Sequence, residues 1–271
     1  MCRMIGVLSV RPTSPYKYLV EDECSLLTQA KVGGQGDGWG IGYYEGGRAR
    51  VYRSPRAAYE EEGLFRYLSA TVKSEIVIAH VRRASNPRGL PRSALISEAN
   101  SQPFAHGRYL FAHNGTVYVP DELRRALGRY ECLVRGLNDS EVYFAYLVKE
   151  WEARGDVAGA VEAVEKGMWE ALRRSGAKRQ HPYSSLNAVF SDGRGLYALT
   201  LYLEGRGKRS LCYGDSEYFR LAYRCDGETL VVASERTDRS EWRAMENGEL
   251  LVAELRDGSV KYRVIRLALG G

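Results

Sequence analysis

Few residues in this chain have the types and placement to do chemistry. Cys2 directly follows the initiator methionine, so removal of Met1 would give one residue both a thiol and a free α-amine. Such an amine has an ordinary pKa of about 7.7–8 and can accept the thiol proton, so nucleophile and base can come from the same residue. Cys2 also fits a plainer role as a small buried hydrophobe at the start of a strand. At 79–85, AHVRRAS ends an apolar run in which His80 and Arg82 point to one face and Val81 and Arg83 to the other. An inward arginine at a strand end suits bidentate capture of a carboxylate; a surface ion pair is the alternative. In FAHNGTV at 111–117, the Asn114 side-chain amide and the Gly115 N–H are candidate oxyanion donors. The same Asn-Gly, between YLFAH and TVYV, is also a type I′ hairpin signal. Asp139 lies in NDSE at 138–141, at a helix start. There Asn138 or Asp139 would cap the helix and Glu141 would complete a capping box, and a carboxylate so placed can also receive a ligand ammonium.

The elements that must position these residues follow from periodicity and turn residues. A strand is expected over 1–10, a helical pattern over 16–31, and a glycine-rich turn over 33–42 leading into a strand through Tyr44 that pairs with 48–53. A helix over 57–73 precedes strand 75–82, a long Pro/Gly/Ser loop over 85–103 and strand 108–113. Two helices, from 138 to 151 and about 156 to 174, are expected to pack together. Strands then follow at 184–191, 195–203, 218–224, 229–234, 249–256 and 260–266, joined by turns such as SDGRG and CDGE. Strands bracketing a helical middle argue for one α+β domain of antiparallel sheets covered by helices, rather than a βαβ doubly wound fold.

Composition narrows the function classes. The 271 residues carry 39 basic and 34 acidic side chains, and a balance of +5 is too mild to argue for nucleic acid binding. With 44% apolar and 27% charged residues, disordered, collagen-like and coiled-coil classes are poor fits. No apolar run approaches the roughly 20 residues of a membrane span, and the first residues lack a signal-peptide core. The glycine run at 33–42 contains neither GxGxxG nor GxxxxGK[ST], so it carries no nucleotide motif. Gly33, Gly34, Gly36 and Gly38 are expected to supply positive φ in turns, and Gly40 and Gly42 to allow close approach to a strand. The five cysteines, Cys2, Cys24, Cys132, Cys212 and Cys225, are odd in number and show no CxxC spacing. Neither a zinc site nor a disulfide framework is expected, and a reducing cytoplasm is the expected location.

Taken in order, Cys2, DGWGIGYY at 37–44, AHVRRAS at 79–85, NSQPF at 100–104, FAHNGTV at 111–117 and NDSE at 138–141 resemble the glutamine-hydrolysing domain of class II glutamine amidotransferases, which are N-terminal nucleophile hydrolases. LNAVFSDG at 186–193 and VVASE at 231–235 extend the resemblance more weakly, so that it covers most of the chain. Within that family it looks like the stand-alone subgroup, whose relatives include γ-glutamyl hydrolases. The resemblance implies a four-layer αββα sandwich with two antiparallel sheets and a single domain over 1–271. It implies that Cys2, freed of Met1, is the nucleophile, its α-amine the general base, and Asn114 with Gly115 the oxyanion hole. Arg82 would hold the substrate α-carboxylate and Asp139 its α-ammonium. The implied reaction cleaves the γ-glutamyl amide of glutamine through a Cys2 thioester, releasing glutamate and ammonia, with no metal or organic cofactor. Glutamine or another γ-glutamyl compound is the implied ligand, and a separate ammonia-accepting synthase the implied partner, since the chain leaves no segment for one; neither nucleic acid nor membrane is implied. A γ-glutamyl peptide or conjugate hydrolase is one alternative, and a catalytically silent glutamyl-binding regulatory subunit another. The family commonly has histidine where Gln102 stands. Residues 205–215, GRGKRSLCYGD, read from composition as a loop near the site.

Overall fold

The first strand, β1 (Arg3–Thr13), buries apolar side chains on both faces, which places it between two apolar layers. Met4 and Leu8 face one layer, Ile5 and Val7 the other. The computed structural model describes residues 1–204 and 207–269. After β1 come a π-helical turn (Lys17–Glu21) and α1 (Leu26–Gly33), then β2 (Trp39–Glu45) and β3 (Arg48–Ser54), paired as a hairpin. Helix α2 (Glu62–Thr71) precedes β4 (Ser74–Val81), and the long loop that follows contains α3 (Arg92–Leu95) and β5 (Phe104–His106). Strand β6 (Tyr109–Asn114), α4 (Pro120–Arg124) and a 3-10 turn (Gly128–Leu133) lead to the long helices α5 (Asp139–Arg154) and α6 (Val157–Ser175). The remainder is strand: β7 (Asn187–Ser191), β8 (Gly195–Thr200), β9 (Ala222–Cys225), β10 (Thr229–Ala233), β11 (Arg243–Ala244), β12 (Glu249–Arg256) and β13 (Ser259–Arg266).

These strands form two antiparallel sheets, ordered β11-β9-β10-β1-β4-β2-β3 and β13-β12-β8-β7-β6-β5. Between them lies one core, including Met4, Leu8 and Ile78 from the first sheet and Leu110, Val189 and Leu196 from the second. Leu26, Leu27 and Phe65 of α1 and α2 cover the outer face of the first sheet together with Ile5, Val7 and Trp39. Val142, Phe144, Val148, Val164 and Met168 of α5 and α6 cover the second with Phe111 and Phe190. The result is the αββα sandwich in α+β form that the resemblance implies, and the two helices pack as expected.

Several local expectations change. The helical pattern over 16–31 is split, because Asp22 leaves the helical region and Ser25 caps a new helix by accepting the Thr28 N–H at 3.3 Å. At α5, Asn138 is the cap, accepting the Ser140 N–H at 3.0 Å. Glu141 accepts the Gly136 N–H at 2.7 Å, so the reciprocal half of the capping box is replaced by a bond that holds the preceding turn. Gly34 and Gly38 adopt positive φ, whereas Gly33 and Gly36 do not. A β-carbon at Gly40 would lie 2.5 Å from the Gln102 carbonyl oxygen, so that strand does accept a close backbone neighbour.

The cysteine reading is corrected. Cys24 and Cys212 form a disulfide across 188 residues of sequence, while Cys2, Cys132 and Cys225 remain free. The pairing joins the segment before α1 to the loop before β9 and depends wholly on tertiary contact, so residue spacing could not show it. Among the described residues no helix is long and apolar enough to cross a membrane.

Candidate active site

Chain register brings the candidate residues to one end of the sandwich. Antiparallel pairing sets Arg3 of β1 opposite Val81 of β4, so the residues just beyond, Cys2 and Arg82, are neighbours at the same sheet end. His80 Nε2 on β4 donates to the His113 carbonyl on β6 at 3.2 Å, which ties the matching ends of the two sheets together. Cys2 Sγ accepts the Arg83 N–H at 3.4 Å and lies 3.5 Å from the Arg83 carbonyl oxygen. It opens on a cavity of about 330 Å³ whose wall includes Met1, Arg83, Ser85, Gly115 and Lys208.

Burial pushes the Cys2 thiol up, while the amino-terminal charge, the Arg83 N–H and Arg82 pull it down. Burial also lowers the residue 1 amine, helped by the positive charges of Arg83, Arg3 and Lys208. The thiol therefore keeps its proton more firmly than an exposed cysteine does, and the adjacent amine gives its proton up more readily.

Arg82 and Asp139 are both 2% exposed and sit behind the cavity wall, where the wall residues are Arg83 and Ser85. Arg82 uses Nη1 for both of its hydrogen bonds, to the carbonyl oxygens of Leu95 at 2.8 Å and Asp37 at 3.2 Å. Among the described residues its Nε and Nη2 make none, which leaves two adjacent donors of the guanidinium fork available. Asp139 accepts from the Ser85 hydroxyl at 2.8 Å and from the Val117 N–H at 2.7 Å, joining the loop after β4 to the segment after β6.

Asn114 ends β6 opposite Asn187 of β7 and is fully buried, yet among the described residues neither its Nδ2 nor its Oδ1 has a hydrogen-bond partner. Asn187 is engaged elsewhere, donating to Phe219 O and accepting the Leu201 N–H. The hairpin alternative for Asn114-Gly115 does not hold, because β6 pairs with β5 and β7 while Val117 bridges to Tyr183. Gly115 has no positive φ; it is required by crowding, since an added β-carbon would lie 2.0 Å from the Ser185 carbonyl oxygen and 2.7 Å from His113 Nε2. Gly115→Ala is therefore expected to lower stability by about 1–3 kcal/mol through forced backbone displacement, read as a lower urea midpoint at constant slope.

The scaffold behind Asn114 was not visible in the sequence. His113 Nε2 donates to Ser185 O at 2.9 Å, and its Nδ1 accepts from the Ser140 hydroxyl at 2.8 Å. Burial lowers both ring pKa values, that of His80 to about 3, so both imidazoles are neutral and act as fixed struts. Gln102, where the family commonly has histidine, accepts the His113 N–H through Oε1 at 2.7 Å. Of the loop expected over 205–215, Gly205 and Arg206 lie outside the described residues; Lys208 reaches the cavity wall and Cys212 carries the disulfide.

The model of the family "Glutamine amidotransferases class-II" matches residues 1–213. The chain belongs to the class II glutamine amidotransferases. An uncharacterized protein of Methanocaldococcus jannaschii is 29% identical over 287 residues, covering 98% of this chain and 72% of that one. The γ-glutamyl-hercynylcysteine sulfoxide hydrolase of Mycobacterium tuberculosis is 35% identical over 81 residues, 30% of this chain and 32% of its own. The solved class II domain protein of Silicibacter pomeroyi superposes with a TM-score of 0.63 at 21% identity, covering 97% of this chain and 98% of that one, which shows the shared fold.

Proposed function

We propose that this class II glutamine amidotransferase cleaves the γ-glutamyl amide of glutamine through a thioester on Cys2, releasing glutamate and ammonia. The observation that carries the reading is the convergence of the Cys2 thiol and Gly115 on one cavity, with the unpartnered, buried Asn114 amide in the preceding residue. With Met1 removed, Cys2 Sγ attacks the γ-carbonyl carbon and its proton passes to the α-amine. The carbonyl oxygen gains negative charge and takes hydrogen bonds from Asn114 Nδ2 and the Gly115 N–H. The C–N bond breaks as the amine's proton goes to the leaving nitrogen, and water then attacks the thioester to free glutamate and restore the thiol. Arg82, through Nε and Nη2, binds the α-carboxylate, and Asp139 receives the α-ammonium, so the two charges of the amino-acid head align the γ-carbonyl with sulfur. No step calls for a metal or organic cofactor, and a separate synthase receiving the ammonia is compatible with the scheme. Met1-free protein given glutamine is expected to release glutamate and ammonia in equal amounts and to show an acyl adduct on Cys2 by mass spectrometry. No turnover of glutamine or of any γ-glutamyl amide would reject the scheme.

A specific observation favours a second reading, hydrolysis of a γ-glutamyl peptide or conjugate. Arg83 and Lys208 are exposed, line the cavity beside Cys2, and form no ion pair among the described residues. Two unpaired cations at that position suit a leaving amine that carries a carboxylate, as in γ-glutamylglycine. On this reading kcat/KM is higher for γ-glutamylglycine than for glutamine, and Arg83→Met with Lys208→Met lowers that ratio by about tenfold, the worth of one exposed ionic contact or two. A strong preference of the unaltered protein for glutamine would reject it.

A further inference from the structure

The carbonyl of Met1 is gripped by two side chains. Gln35 Nε2 donates to it at 2.9 Å and the Tyr218 hydroxyl at 3.0 Å. Both groups are deeply set, Gln35 being fully buried and Tyr218 8% exposed. Each is also fixed from behind. The Arg3 guanidinium lies 3.6 Å over the Tyr218 ring and donates to its carbonyl at 2.8 Å, and Arg3 is paired with the buried Glu235 at 3.6 Å. Gln35 follows the left-handed Gly34 that closes α1, and its N–H donates to Ala30 O at 3.0 Å. This is much buried polar structure to spend on a residue that the proposed chemistry discards.

A peptide nitrogen lies about 2.2 Å from the carbonyl oxygen of its own bond, as standard bond lengths require. The Gln35 amide nitrogen and the Tyr218 hydroxyl therefore lie within about 5 Å of the nitrogen of Cys2, close enough to reach it directly or through one water. We propose that Gln35 and Tyr218 are positioning residues for the α-amine of Cys2. Once Met1 is removed they hold that amine by hydrogen bonds, directly or through one water in place of the lost carbonyl, with its lone pair turned toward Sγ. The inference rests on the Cys2 thioester reading.

The chemistry of the two groups fits the task. An amine that accepts a proton along one direction needs acceptors for its own N–H groups in the others. Gln35 Oε1 has no partner among the described residues and becomes an acceptor by a turn of the amide, and a phenol oxygen both donates and accepts. Burial pushes the Tyr218 phenol up, so it stays protonated at neutral pH and does not compete for the thiol proton. The charged and titratable groups around the residue 1 amine, one residue away, are the Cys2 thiol, Arg83, Arg3 and Lys208. Cations beside an amine favour its free base, and orientation is then the other requirement for proton transfer.

Tyr218→Phe and Gln35→Glu, each confirmed free of Met1 by intact mass, test this. Phenylalanine keeps a ring beneath Arg3. Its expected effect is a fall in kcat of at least about tenfold with KM changed less than about threefold, because orientation of the proton carrier is lost and substrate contacts are not. Glutamate at 35 places a carboxylate beside the amine and favours its charged form. The rising limb of the kcat/KM pH profile, which requires free amine, then moves to higher pH by about one pH unit. A purely structural role would leave that limb in place. An active enzyme with kcat for Tyr218→Phe within about twofold, or with the limb unmoved in Gln35→Glu, would overturn the positioning role. Failure of the thioester reading looks different: Met1-free protein that is inactive, or Cys2→Ala protein that is active. If Tyr218→Phe does not fold, as judged by thermal melting, the pH limb of Gln35→Glu decides.

Discussion

Cys2→Ala in Met1-free protein is expected to lower kcat/KM for γ-glutamyl hydrolysis by about 10⁴-fold or more, because no other group at the cavity replaces a sulfur nucleophile. The thiol exchanges two long hydrogen bonds with Arg83, accepting its N–H at 3.4 Å and donating to its carbonyl at 3.5 Å, and otherwise faces the cavity. Truncation therefore removes two weak sulfur bonds, and stability is expected to change by about 1 kcal/mol or less, so lost activity is not lost fold. A second arm separates sulfur from base. Burial pushes the thiol up, so it is largely protonated at neutral pH and attack requires a base beside it. In protein that retains Met1 the Cys2 nitrogen is an amide and has no basic lone pair. Such protein is expected to be as inactive as the alanine variant although its thiol is present. Steady-state hydrolysis of glutamine and γ-glutamylglycine by the three forms decides the matter. Cys2→Ala protein with more than about 1% of the original rate would remove Cys2 from the mechanism. Undiminished glutamyl binding with no turnover by any form would favour the silent binding subunit.

How much of this was legible in the sequence depends on the range over which each feature is decided. Strand and helix types follow from local alternation and spacing, and the α5–α6 pair and the β2–β3 hairpin were readable because neighbours in sequence make them. The antiparallel character followed from short turns between strands. The adjacency of β4 to β1 and β2, or of β7 to β6, is set by which apolar faces meet across the sandwich and leaves no local mark. The Asn-Gly at 114–115 shows the limit most clearly. It satisfies the chemistry of a tight turn, but the strand after it does not return beside β6, and the glycine is demanded by the Ser185 carbonyl from 70 residues on. The Cys24–Cys212 bridge fails to show in spacing for the same reason. Among the site residues, Cys2, Arg82 and Asp139 could be singled out by residue type and place in an element. Gln35, Tyr218, Arg83 and Lys208 could not, since an ordinary glutamine, tyrosine or surface cation carries no pattern until the fold sets it around the amino terminus.

Asn114→Ala is expected to separate activity from stability in opposite directions. A single oxyanion donor is worth about 10²–10³ in kcat, or about 2.7–4 kcal/mol of barrier, when it is aimed at the place where charge develops. Among the described residues the Asn114 amide has neither a donor nor an acceptor partner, although Asn114 is fully buried. An unsatisfied buried polar group costs a folded protein about 1–3 kcal/mol, so folding alone gives no reason for an asparagine here. Alanine removes that cost and leaves a small cavity whose penalty is of similar size, so the urea midpoint is expected to hold or to rise. The surrounding struts, His113 on Ser140 and Ser185 and His80 on the His113 carbonyl, do not involve the Asn114 side chain and remain in place. Activity should then fall by two to three powers of ten, mainly in kcat, because the donor acts on the charge of the transition state more than on the resting carbonyl. Asn114→Asp sharpens the test: a carboxylate of nearly the same shape repels the oxyanion and should be worse than alanine. A parallel loss of stability and activity in Asn114→Ala, or unchanged kcat in a folded protein, would mean that the unpartnered amide has another purpose. A loss of kcat at full stability would mean that the fold carries the cost of this buried amide for the sake of the reaction.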